Sequence, residues 1–255
     1  MKIRKTIVGN WKMNKTVGEA VDFIQGLVDL LGPKFNDAEV ILCPPFTALY
    51  ACTGALGGRS ALSIGAQNVH PEPSGAYTGE ISAPMLRDLF CRYVIVGHWE
   101  RRLHFGETGK FIHDKIQACF SSKLRPILCL GETLEERQAG RTHEVLAWHL
   151  REALGDIDED NLSEVLIAYE PIWAIGAPQP ASPEEANEAH VMIRRTLAEM
   201  KSPALAEKMR ILYGGGLKPE SSGELLKQPE VDGLLVGSAS LEIRSFYAII
   251  QSSIL

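Results

Sequence analysis

Residues 93–102 read Tyr-Val-Ile-Val-Gly-His-Trp-Glu-Arg-Arg. An apolar, largely β-branched run proceeds without polar alternation, a glycine interrupts it, and a histidine follows at once ahead of charged residues. A short unalternated apolar run reads as a strand buried on both faces, the pattern of a parallel sheet. Its abrupt polar end marks one rim of that sheet as a place for chemistry.

The same unit recurs along the chain. Strand-like runs stand at 6–11 (TIVGNW), 39–43 (EVILC), 62–67 (LSIGAQ), 93–97 (YVIVG), 125–130 (RPILCL), 164–170 (EVLIAYE), 210–214 (RILYG) and 232–237 (DGLLVG). Helix-period sequence lies between them. Val17, Val21, Ile24, Leu27, Val28 and Leu31 share one helical stripe, and Ile193, Leu197 and Met200 continue another. Ser182-Pro183-Glu184-Glu185 forms a capping box with proline at the first helical position, so a helix starts there. Eight strand–helix units in 255 residues predict an α/β fold, a single-domain (β/α)8 TIM barrel over residues 1–255. The competing architecture, an open doubly wound sheet, calls for a G-x-G-x-x-G turn after its first strand, and none follows here.

The formal net charge is −6, with no basic stripe, which argues against nucleic acid or an anionic membrane as the main partner. No apolar stretch reaches the length of a membrane span, and the apolar part of MKIRKTIVGNWKMN is too short for a secretory leader. The five cysteines (43, 52, 91, 119 and 129) contain no C-x-x-C and suggest reduced thiols in an intracellular, cytoplasmic protein. The histidines show no H-E-x-x-H or other paired ligand spacing, so no metal site is expected.

In such a barrel the chemistry belongs at the C-terminal strand ends. The first strand runs into Asn10-Trp11-Lys12, an amide and an ammonium able to face one polarised oxygen, although Lys12 alone also fits a solvated loop. The fourth delivers His98 before a helix start, whose positive end favours a neutral, hydrogen-bond-donating imidazole. The sixth ends in Glu170, a poorly solvated carboxylate suited to a general base or to a structural salt bridge. A long loop with Ile172, Trp173 and Ile175 follows, and it reads as a lid. Glycine-rich turns after the seventh and eighth strands, at 214–216 and 237–240, offer peptide N–H groups to a phosphate. Together these describe proton abstraction beside a carbonyl in a small phosphorylated substrate. No nucleophile motif or cofactor fingerprint competes.

The chain resembles the triosephosphate isomerase family over its whole length. GNWKMN (9–14), GAQNV (65–69), GAYTGEIS (75–82), VGH-ERR (96–102), FGET (105–108), CLGETLEER (129–137), AYEPIWAIG (168–176), ILYGG (211–215) and DGLLVG (232–237) match its motifs in order. The resemblance implies an aldose–ketose isomerase for dihydroxyacetone phosphate and glyceraldehyde 3-phosphate. It gives Glu170 as base, with Asn10, Lys12 and His98 on the enediolate oxygens. Gly176, Gly216, Gly237 and Ser238 fall on the phosphate grip, and Glu100 matches a buried glutamate near Lys12. Residues 75–80 match the loop that enters a partner subunit, so a homodimer is implied; no cofactor and no metal are.

Four positions depart from the family pattern. Trp99 stands for a serine that lies near the catalytic glutamate, where an indole is expected to crowd Glu170 or divert the open lid. Gly216 replaces the serine of YGGS, and Ser238 replaces the second glycine of a pair, which suggests that the hydroxyl has moved from one to the other. The lid's far hinge reads Ala177-Pro178-Gln179-Pro180-Ala181, and two prolines there predict a stiffer hinge. These changes keep two alternatives in view, an isomerase for a tetrulose phosphate and a catalytically weak phosphate-binding barrel.

Overall fold

The computed structural model describes residues 4–57, 62–177 and 180–254. Eight strands, β1 (Thr6–Asn10), β2 (Glu39–Cys43), β3 (Leu62–Ala66), β4 (Tyr93–Val96), β5 (Arg125–Leu130), β6 (Leu166–Tyr169), β7 (Arg210–Tyr213) and β8 (Gly233–Val236), follow one another around a closed barrel. All neighbours pair in parallel, and β8 returns to β1 with Thr6 opposite Gly233 and Gly9 opposite Val236.

Both faces of each strand are buried, which is why the sequence shows no polar alternation. One set of residues, including Val8, Ile41, Ile95, Ile127, Leu166 and Leu212, points inward and fills the barrel. The alternate set, including Ile7, Val40, Val94, Leu128, Ile167 and Ile211, packs outward in one continuous core with the helices.

Several strands stop short of the runs expected for them, leaving Trp11, Gln67, Gly97, Glu170, Gly214 and Gly237 just beyond the sheet. The ladder continues past the last regular residue: Glu170 N–H donates to Leu130 O (2.8 Å) and Gly214 N–H to Tyr169 O (2.7 Å). These rim residues are therefore held by sheet bonds while their chain turns away.

The helix Val17–Leu31 buries Ile24, Leu27 and Val28 as expected, but Val17 is exposed and Val21 and Leu31 are half-buried. Ala20 and Phe23 complete the buried face instead, because the contact with the barrel is narrower than the apolar stripe. The helix Pro183–Met200 starts at the expected box: Ser182 Oγ accepts from Glu185 N–H (3.1 Å) and Glu185 Oε2 from Ser182 N–H (2.8 Å). No helix among the described residues is long and apolar enough to cross a membrane.

Candidate active site

Side chains along a strand alternate with period two, so inward positions can be counted to the rim. Asn10 follows Val8, Glu170 follows Leu166 and Ala168, and Gly237 follows Leu235, and all reach the same mouth. His98 breaks the count set by Tyr93 and Ile95. Gly97 corrects it with a left-handed turn (φ +69°), where a Cβ would also approach Ile112 Cδ1 to 2.9 Å. That glycine brings His98 into the cavity.

Lys12 has a left-handed backbone as well (φ +52°), a conformation costing a lysine about 1–2 kcal/mol. Its neighbours hold it there. Asn10 Oδ1 accepts the Lys12 N–H (3.0 Å), and Gln67 Nε2 donates to Lys12 O (2.8 Å) and to Cys43 O (2.9 Å). The ammonium lies 2.6 Å from Glu100 Oε1. Glu100 was expected to be buried but is half-exposed, because it sits on the short helix Trp99–Phe105 at the edge of the mouth.

Glu170 and His98 are nearly inaccessible to solvent, and Glu170 Oε1 lies 2.8 Å from His98 Nε2. His98 Nδ1 accepts the Glu100 N–H (3.4 Å) as the helix N-cap, a role open only to an unprotonated nitrogen, which leaves the ring proton on Nε2 facing Glu170. Glu100 Oε2 comes within 3.5 Å of Nδ1, at the limit of contact, while Oε1 is committed to Lys12. The second Glu170 oxygen accepts the Trp99 peptide N–H (3.1 Å). Only the peptide of Trp99 bonds Glu170, and the ring turns toward Lys12, whose Nζ lies 5.7 Å from its centroid.

The loop after β6 is anchored at its near end. Glu132, wholly buried, accepts from the Tyr169 hydroxyl (3.0 Å) and from Trp173 Nε1 (2.9 Å), with Arg137 Nη1 at 3.5 Å. Burial holds its carboxyl above the usual carboxylate range despite those donors. Arg137 also stacks over the Trp173 ring at 4.3 Å. Of the proline hinge, Pro180 lines the cavity, while Pro178 and Gln179 lie outside the described residues.

These elements surround a cavity of about 840 Å³. Asn10, Lys12, His98, Trp99 and Glu170 line it together with Gly176, Gly216, Gly237 and Ser238. Glu100 is not in the wall and acts through Lys12. Three supporting residues escaped the sequence reading: Gln67, Glu132 and Arg102, whose guanidinium donates to Gly97 O (2.8 Å) and Cys129 O (2.9 Å). Gln67 and Glu132 carried a signal, each being a polar residue within two positions of a strand's C-terminal end. Among the described residues no group of His, Cys, Asp and Glu side chains is placed to hold a metal ion.

The arrangement pairs a desolvated carboxylate with a hydrogen-bond-donating imidazole, beside an ammonium and a glycine-rich wall. A family model described as triosephosphate isomerase matches residues 5–253. The triosephosphate isomerase of Chloroflexus aurantiacus is 50% identical, covering 96% of this chain and 97% of its own. Those of Moorella thermoacetica (49% identical, 97% and 98% covered) and Dictyoglomus thermophilum (46%, 98% and 99%) are similar throughout as well.

Proposed function

The chain belongs to the triosephosphate isomerase family, and from that premise we propose that it interconverts dihydroxyacetone phosphate and glyceraldehyde 3-phosphate through an enediolate. The observation that carries this reading is the buried 2.8 Å contact between Glu170 and His98 at the wall of a cavity that Lys12 shares. Glu170 takes a proton from the substrate carbon, the C–H electron pair forms the carbon–carbon double bond of the enediolate, and the carbonyl π pair moves onto the carbonyl oxygen. His98 Nε2–H, the Lys12 ammonium and the Asn10 amide stabilise the charge that develops there. One proton shifts between the two substrate oxygens, and Glu170 returns the other to the neighbouring carbon. To use Nε2–H, the substrate oxygen displaces Glu170 from it, which frees the carboxylate to reach carbon.

The peptide N–H groups of Gly176, Gly216 and Gly237, with Ser238, take the phosphate, and the lid that follows Glu170 closes over it to exclude water. Nothing favours the tetrulose phosphate. The relatives named above are triosephosphate isomerases, and Trp99 adds bulk to the cavity wall rather than removing it. Glu170→Gln keeps the shape of the base but removes the proton acceptor, so kcat falls by several orders of magnitude with KM nearly unchanged. A loss smaller than tenfold in steady-state isomerisation contradicts the assignment.

The proposal includes a homodimer formed through residues 75–80. The apolar side chains of Met13 (95% exposed), Tyr50 (80%), Met85 and Tyr77 support it, being left in solvent by the single chain. Light scattering is expected to return twice the 28.0 kDa chain mass, and the single mass contradicts it. A cytoplasmic location is proposed on the same footing, supported by five buried free cysteines.

A further inference from the structure

Three consecutive residues, His98-Trp99-Glu100, handle both charges of the site. His98 Nε2 and the Trp99 peptide N–H hold the two oxygens of Glu170, at 2.8 and 3.1 Å. Glu100 Oε1 holds the Lys12 ammonium at 2.6 Å. The Trp99 side chain is left unexplained by this division, and its ring is turned toward the cation, with Lys12 Nζ 5.7 Å from the ring centroid. The rings of His98 (6.1 Å, 37°) and His104 (6.1 Å, 55°) flank the indole.

We propose that Trp99 is a positioning residue for Lys12, its indole face and the Glu100 carboxylate together holding the ammonium where the substrate's charged oxygens arrive. Lysine carries its charge on a flexible four-carbon stem, and here that side chain is about one-third exposed. The backbone end is already fixed, by Asn10 at the N–H and by Gln67 at the carbonyl. Fixing the far end needs partners at the ammonium. Glu100 alone supplies one from one side, while tryptophan, the aromatic that attracts cations most strongly, supplies another within the working distance of about 6 Å. The ring is also an apolar wall, which keeps competing water off part of the ammonium. The serine of the family pattern lies near the catalytic glutamate. In this chain the peptide N–H at 99 retains the glutamate, and the side chain serves the lysine.

This inference rests on the isomerase reading only for its kinetic arm. The variants are Trp99→Phe, which keeps an aromatic face, and Trp99→Leu, which keeps apolar bulk without one; Trp99→Met replaces the leucine variant should that misfold. The first readout is the NMR shift of the Lys12 ε-methylene protons. Ring current moves them upfield in the parent protein and in Trp99→Phe, and they return to the ordinary lysine position in Trp99→Leu. The second is steady-state kinetics. Because Lys12 both meets the substrate on binding and stabilises the charge that develops in the reaction, Trp99→Leu lowers kcat/KM by about two- to fivefold, and Trp99→Phe recovers most of the loss. An unshifted ε-methylene in the parent protein overturns the proposal. So does an equal kcat/KM in the phenylalanine and leucine variants. An upfield shift in a parent protein that fails to isomerise trioses sinks the function and leaves the Lys12–Trp99 contact standing.

Discussion

Position 216 lets the proposed grip on phosphate be tested one side chain at a time. A Cβ built there meets only Ala174 O at 3.4 Å and Pro180 Cβ at 3.6 Å, ordinary contacts, so glycine is not imposed by packing. Ser238 stands exposed in the wall of the same cavity. If the phosphate-binding hydroxyl has moved from 216 to 238, Ser238→Gly loses about 1 kcal/mol of binding, which is about a fivefold rise in KM. Gly216→Ser in that background restores it. An unchanged KM in Ser238→Gly contradicts the exchange. Asn10, Lys12, His98 and Glu170 were readable from the sequence because a polar residue after an apolar strand is conspicuous. The partner of Trp99 was not, because a rotamer is chosen by tertiary neighbours: the order of residues says that an indole adjoins His98, not that it faces Lys12. Glu100 was misjudged for a related reason, since burial depends on where the short helix meets the mouth.

Among elements, the segment 171–177 after β6 connects packing to function most directly. Its 3₁₀ turn, Ile172–Ala174, places the Trp173 indole N–H on the buried Glu132 carboxylate. Trp173→Phe removes that donor while the Tyr169 hydroxyl and Arg137 stay on the same carboxylate oxygen, so the cost is that of one hydrogen bond, about 1 kcal/mol. The melting temperature is expected to fall and limited proteolysis to cut the loop faster. Unchanged cleavage would mean that the anchor does not hold the loop. The strands themselves were evident from unalternated apolar runs, and the helix at Pro183 from its capping box. The C-terminal ends of β2 and β5 fall where expected, and those of the other strands were placed one residue too far, since rim residues keep sheet hydrogen bonds after their backbone has left the strand, as Glu170 does with Leu130. The structure of Gln67 and Glu132 as supports emerges only when the barrel closes, because β3 reaches β1 through β2 and β5 touches β6 through non-local pairing.

For the molecule as a whole, a buried histidine, His190, and a half-buried one, His149, link stability to pH. His190 is fully buried, with Nδ1 on Glu230 O (3.0 Å), Nε2 unpaired and the Tyr169 ring set edgewise at 6.0 Å. Burial lowers its pKa from 6.5 to about 4, and burial likewise lowers that of His149 to about 3. The unfolded chain thus binds more protons than the folded one between about pH 4 and 6.5. Stability is whole above that window and is lost as pH falls through it, His190 alone contributing about 3 kcal/mol by its end. Urea unfolding at pH 7 and pH 5 should show the drop, and His190→Asn should shrink it; an equal drop in the variant would assign the effect elsewhere. The central claim is that this barrel is a working triosephosphate isomerase despite Trp99, Gly216 and Ser238. It is tested most directly by steady-state isomerisation of glyceraldehyde 3-phosphate, read through coupled reduction of dihydroxyacetone phosphate. The account predicts a kcat/KM approaching the diffusional ceiling of about 10⁸–10⁹ M⁻¹s⁻¹, a general limit of which triosephosphate isomerase is a standing example. A value thousands of times lower from folded protein would contradict it.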